Sequence, residues 1–160
     1  MATIEKSIEV GVPVSVAYDQ WTQFEEFPQF MSGVVDVRQL DDSHVRWTVD
    51  VAGERKHWEA EIVEQEPDRV IAWRSVAGLP NSGRVEFEPT NRGTRVTVEM
   101  EYETEGMKES AGSLLGIDEG QVEEDLQRFR DLVESREVPT GAWRGSIEEG
   151  RVTDDDISFT

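Results

Sequence analysis

Proton-transfer chemistry near neutral pH begins with histidine, and this chain has two, His44 and His57. His44 follows the turn residues Asp41-Asp42-Ser43, and His57 alternates with the apolar residues of its strand, so both are expected to face solvent. Neither has a serine or cysteine partner in a recognisable motif, and no G-x-S-x-G or phosphate-cradling glycine loop is present. Nucleophilic hydrolysis and nucleotide chemistry are therefore not indicated. With no cysteine, disulfides and thiolate metal sites are excluded. The other metal candidates read better as surface. Asp41, Asp42 and His44 form a polar hairpin turn, Glu123, Glu124 and Asp125 a solvated helix face, and Asp154-Asp155-Asp156 lacks the alternating spacing of a calcium loop. Neither a metal nor a cofactor is expected.

The aromatic residues say more. Trp47, Trp58, Phe87, Met100 and Tyr102 share the inward parity of their strands, and Phe129 faces them from a helix. Trp73 joins them if Ile71 and Trp73, rather than Val70 and Ala72, point inward. Each alone is an ordinary core residue; as a group they make an aromatic wall with few polar anchors, the usual lining of a ligand pocket. Tyr102 and Arg74 are the polar candidates, a phenol as general acid and a guanidinium to hold a carbonyl. For Arg74 an outward-pointing position is the competing reading.

The elements that must hold these residues follow from periodicity. Thr3–Val10 alternates as a first strand, with Ile4, Ile8 and Val10 on one face. Pro13 suits the first turn of a helix over Val14–Trp21, and a second helical piece around Phe24–Phe27 is expected to stop at Pro28. Six strands then follow with a period of two, through Val35–Leu40, Val45–Val51, Trp58–Ile62, Val70–Val76, Val85–Phe87 and Val96–Tyr102. The last element is helical. Met107–Leu115 begins it, Gly116 interrupts it, and Asp118 with Gln121 forms a capping pair for a new helix ending near Ser135. Val122, Leu126, Phe129 and Val133 make its apolar stripe. One face of a seven-stranded sheet needs a cover, and only this helix is long enough.

Composition bounds the rest. At 160 residues the chain suits one domain with a substantial core, and five Trp and six Phe supply large buried surfaces. Sixteen basic against thirty-five acidic residues leave a net charge of −19, which argues against nucleic acid and anionic membranes as partners. No apolar stretch approaches a membrane span, and the alternating N-terminus has no signal-peptide core, so a cytoplasmic protein without membrane insertion is expected. Residues 1–136 are assigned to the domain and 137–160 to an acidic, mobile tail, with docking of Trp143 as the open alternative.

The order strand, two short helices, six-strand meander and long helix resembles the START-like (SRPBCC) superfamily, which includes polyketide cyclase/dehydrase and lipid-transport proteins. The resemblance is carried by Trp21-Thr-Gln-Phe-Glu-Glu-Phe-Pro-Gln-Phe-Met31, by Trp58-Glu-Ala-Glu-Ile62, by Ile71-Ala-Trp-Arg-Ser75 and by Asp125-Leu-Gln-Arg-Phe129. Thr140-Gly-Ala-Trp-Arg-Gly145 is similar to a tail of a bacterial cyclase/dehydrase-like subgroup related to coenzyme Q-binding proteins. The resemblance implies an α+β helix-grip fold, a curved seven-stranded antiparallel sheet around the C-terminal helix. It also implies an apolar cavity. The function expected is binding or transport of a hydrophobic small molecule (a lipid, a quinone or an aromatic polyketide). The alternatives are a cyclase/dehydratase using Tyr102 and Arg74, and a structural or stress-related protein with a vestigial cavity.

Overall fold

The computed structural model describes residues 2–31, 33–51, 53–78, 80–102, 119–136 and 141–152. The segment Met107–Leu115, Gly116 and Asp118, read above as helical and capping, lies outside the described residues. Seven strands form the main sheet: β1 (Ala2–Val10), β2 (Val34–Asp41), β3 (His44–Val51), β4 (Glu54–Glu66), β5 (Val70–Gly78), β6 (Asn81–Thr90) and β7 (Gly93–Tyr102). They pair antiparallel in the order β1-β7-β6-β5-β4-β3-β2. Helix α1 (Val14–Trp21) and a 3-10 helix (Phe24–Gln29) follow β1, and α2 (Glu119–Arg136) follows β7. This is the helix-grip architecture, with nine strands among the described residues rather than the expected seven. The additional pair, β8 (Ile147–Glu148) and β9 (Arg151–Val152), extends the sheet beside β4. No helix among the described residues is long and apolar enough to cross a membrane.

Local chemistry explains most of the turns. In the β2–β3 turn the Ser43 backbone N–H donates to Asp41 Oδ1 at 2.9 Å, and His44 Nδ1 lies 2.9 Å from the same oxygen. The His44 hydrogen bond, with that from Ser43, holds the Asp41 carboxyl below its ordinary value. This cluster closes the turn. At the β6–β7 turn Gly93 sits at φ 151°, and a Cβ there would lie 2.1 Å from the Val10 carbonyl oxygen. Only glycine permits that approach of the chain end of β1.

Two short-helix expectations shift by a residue or two. Pro13 caps α1 instead of opening it, its carbonyl accepting from the Val16 and Ala17 N–H groups at 3.0 and 3.1 Å. Pro28 lies inside the 3-10 helix. So short a helix tolerates the missing donor, and its end is closed by the Phe30 and Met31 N–H groups on the Phe27 carbonyl.

The facing of β5 is decided by β4. Register shifts between Glu59 and Ala60 and between Ile62 and Glu64 bend that strand and pair Ile62 with Trp73 and Gln65 with Ile71. Ile71 and Trp73 therefore face the core. Val70 and Ala72 are buried as well, which is why the segment reads as continuously apolar. On α2, Val122, Leu126, Phe129 and Val133 are all buried, as the stripe requires. Polar ties orient the helix: Glu134 Oε2 accepts from the Gly11 N–H at 2.8 Å, and Arg136 reaches Glu26 and Gln29 of the 3-10 helix, each at 2.9 Å.

Residues 141–152 lie against the domain. The Trp143 N–H donates to Thr22 Oγ1 at 3.1 Å, and Ile147 is fully buried where β8 pairs with Gln65. Arg144 stands over the Tyr18 ring, 5.5 Å from its centroid, and pairs with Asp19 and with Asp68. Tyr18 is itself fully buried, its hydroxyl accepting from Gln65 Nε2 at 2.9 Å. Burial pushes its phenol from 10.0 up to about 12, against the opposing Gln65 hydrogen bond. A folded-state value above the unfolded one means this contribution to stability is complete below pH 10.0 and lost as pH rises through about 12. An absorbance titration of a Tyr102→Phe variant, which leaves one tyrosine, should show the phenolate forming near pH 12 together with loss of far-UV ellipticity. Ionisation near 10 in a still-folded protein would contradict the burial of Tyr18.

Candidate functional site

The concave face of the sheet, the two short helices and α2 enclose a cavity of about 120 Å³. Its sheet wall is built from strand parity. Trp47 of β3 and Trp58 of β4 are directly paired in register, and their indoles stack with centroids 5.5 Å apart and planes 9° from parallel. Trp73 and Met100 line it from β5 and β7. The Trp73 indole is oriented by Asn81, whose Oδ1 accepts from Nε1 at 3.0 Å. Asn81 is itself buried and lines the cavity.

The opposite wall comes from Trp21, Phe24, Phe27 and Phe30, with Met31 beside them. Their rings pack edge-on or tilted: Trp21 and Phe27 at 5.6 Å, Phe24 and Phe27 at 5.4 Å, Phe27 and Phe30 at 5.4 Å. Phe27 also packs directly on Trp47, centroids 5.4 Å apart, so the two walls touch there. This wall is absent from the residues singled out by strand parity. A signal for it exists in the sequence: aromatic residues recur every three positions at 21, 24, 27 and 30, and the period of a 3-10 helix puts Phe24 and Phe27 on one face, between Trp21 at the end of α1 and Phe30 just past the helix. A search for periods of 2 and 3.6 passes over it.

Of the residues expected to bind ligand, Trp47, Trp58, Trp73 and Met100 line the cavity. Phe87, Tyr102 and Phe129 are buried but not among its lining. Phe129 backs it instead, packing on Trp21 at 4.7 Å and on Phe30 at 5.2 Å, and Phe87 packs on Tyr18 at 5.3 Å. Parity assigns a side chain to a face of the sheet, whereas the cavity occupies only part of that face. Arg74 takes the outward alternative. Its guanidinium is exposed and reaches Glu61 at 3.2 Å on the convex surface. Arg74 pairs with Ser82 and Tyr102 with Asn81, neighbours of opposite parity, so the two polar candidates stand on opposite faces.

The polar character of the site is sparse. Among the described residues the charged ones lining it are Asp50 and Asp125; Asp50 is exposed, and Asp125 accepts from Gln121 Nε2 and pairs with Arg128, both at 2.9 Å. Together with Met31, Gly33 and Val34, which also reach solvent, they mark the mouth. Asp125 departs from the solvated helix face expected of it, its carboxylate being largely covered at the rim. Trp58 is 3% exposed, and among the described residues its indole Nε1 has no hydrogen-bond partner. Among the described residues no three acidic or histidine side chains converge in a way that would hold a metal ion. The arrangement can desolvate an apolar molecule and orient it by ring stacking.

Residues 10–130 match the sequence profile of the family described as polyketide cyclase/dehydrase and lipid transport. The chain is 44% identical over 149 residues to an uncharacterized 17.2 kDa protein of Streptomyces lincolnensis, covering 92% of this chain and 99% of that one. Among solved structures it resembles DR_A0006 of Deinococcus radiodurans, at 31% identity and a TM-score of 0.70, over 85% of this chain and 99% of the other. It shares its fold with the Zhui aromatase/cyclase of Streptomyces sp. R1128 at 19% identity and a TM-score of 0.65, over 89% and 99% of the two chains. A START superfamily protein from Mycobacterium smegmatis aligns at 18% identity and 0.65, over 84% and 98%.

Proposed function

Because this chain belongs to the polyketide cyclase/dehydrase and lipid-transport family, we propose that it binds and carries one hydrophobic small molecule in its internal cavity. The observation that carries the reading is the lining: a stacked Trp47–Trp58 pair facing a row of phenylalanines, with almost no polar side chain between. Such a surface gains by excluding water, at roughly 25 cal/mol per Å² of apolar area.

Size restricts the ligand. Pockets for drug-sized molecules run from about 300 Å³ upward, whereas an apolar cavity of about 150 Å³ accepts benzene. At about 120 Å³ this cavity takes a single ring or a short branched chain. A longer lipid or isoprenoid would place one end inside and leave through the mouth. A fused polycyclic ligand exceeds this volume. The cyclase alternative is weakened independently, since Tyr102 and Arg74 do not share a face.

Native mass spectrometry of the purified protein, repeated after organic extraction, tests the proposal. A stoichiometric apolar adduct that extraction removes is the expected result. An unliganded mass, combined with no thermal stabilisation by quinones, lipids or small aromatics, would favour a structural protein with a vestigial cavity.

A further inference from the structure

Resting on the binding reading above, we infer that residues 141–145 latch the joint between α1 and the 3-10 helix, and that release of this latch sets how fast a ligand enters and leaves the cavity. The Gly141-Ala-Trp-Arg-Gly145 run does not line the cavity. What it touches is the joint of the aromatic wall. Trp21 ends α1, Phe24 opens the 3-10 helix, and only Thr22 and Gln23 lie between them. Helices this short do not hold their positions alone, so the link needs outside support. Rotation there carries Phe24, Phe27 and Phe30 with it, and Met31 at the mouth continues the same segment.

The contacts of the run fall on that link or directly beside it. The Trp143 N–H donates to Thr22 Oγ1 at 3.1 Å, and the same oxygen accepts from Gln23 Nε2 at 3.0 Å and donates to the Asp19 carbonyl at 2.6 Å. Gly141 lies so close to Gln23 that a Cβ on it would come 2.6 Å from the Gln23 Oε1. Arg144 bridges helix and sheet. It pairs with Asp19 of α1 and, at 2.6 Å, with Asp68 in the β4–β5 turn, and its guanidinium stands over the Tyr18 ring. The anchor and the latch differ in kind. Beyond the run, Ile147 is fully buried and β8 pairs with β4, so that end is held by apolar burial and backbone pairing. The Arg144 side chain is 39% exposed, and partly hydrated ion pairs open at small cost. The run can therefore lift from Thr22 and Gln23 while the chain stays attached at β8.

Fluorobenzene, a single ring of the size this cavity admits, tests the latch when titrated into the full-length protein and followed by fluorine NMR exchange. Arg144→Gln is expected to raise the association and dissociation rates together, by about fivefold to tenfold, because it populates the open state without altering the cavity. The dissociation constant should then stay within about twofold of the parent value. The Thr22 and Gln23 amides, which donate to the Tyr18 and Gln20 carbonyls at 3.1 Å, should exchange with solvent faster by a similar factor, with the Val98 amide of β7 unchanged. Arg95→Gln removes the same charge from an exposed pair with Glu88 and should leave both ligand rates at their parent values. Unchanged ligand rates in Arg144→Gln, or equal acceleration in Arg95→Gln, overturn the latch and leave the binding role standing. Faster dissociation without faster association makes Arg144 a support of the wall and also overturns the latch. Fluorobenzene that fails to bind the parent protein overturns the binding role and the latch with it.

Discussion

Replacing Phe129 by alanine is expected to lower the unfolding free energy by about 3–5 kcal/mol, read from urea or thermal melts. Phe129 has no solvent exposure, and its ring bridges Trp21 at 4.7 Å and Phe30 at 5.2 Å. It thus joins α2 to α1 and to the end of the 3-10 helix, elements too short to hold their positions alone. Truncation removes the transfer free energy of the ring and leaves a void beside a cavity that already exists, so collapse around it is hindered. The same substitution should weaken ligand binding only through the loosened aromatic row, because Phe129 backs the cavity without lining it. A variant as stable as the parent protein would mean that α2 does not hold this wall.

The complementary substitution is Ala60→Leu. Ala60 lies 1% exposed on β4, between Trp58 and Ile62, and lines the cavity. An isobutyl group there fills space that is empty, so the fold should survive with a change within about 1 kcal/mol, less than ordinary overpacking of a dense core. Affinity for a single-ring apolar ligand should nevertheless fall by roughly tenfold to a hundredfold, since ligand and side chain compete for one volume. Calorimetry with iodobenzene checks affinity and a thermal melt checks the fold. Loss of binding with retained stability separates a ligand site from a packing element; unchanged affinity would place the ligand elsewhere.

How far the sequence revealed this site depends on which periodicity built each wall. Alternation in β3, β4 and β7 puts Trp47, Trp58 and Met100 on the inner face without ambiguity, because a strand whose other face is wetted carries polar residues at every second position. The helix-grip order and the stripe on α2 are legible for the same reason. Val70-Ile71-Ala72 is buried on both faces, and there the inward residues follow from the β4 bulges, which no pattern of β5 itself announces. Arg74 is exposed for the same local reason: once Trp73 faces inward, its neighbour must face outward. The phenylalanine wall matches neither the strand nor the α-helical repeat, because its rings recur every three residues. Ile147 is an isolated apolar residue in a polar stretch, and its burial depends on pairing with Gln65, a partner 82 positions away in sequence (147 − 65). Neither composition nor local periodicity reports such a contact.

The most direct test of an internal apolar site is to soak crystals of the protein with iodobenzene and locate the iodine by its anomalous signal. The account predicts one well-occupied position inside the cavity, within the space lined by Trp58, Trp73, Met100 and Phe30. Iodine found only on the outer surface, with the cavity empty or filled by ordered water, would contradict it.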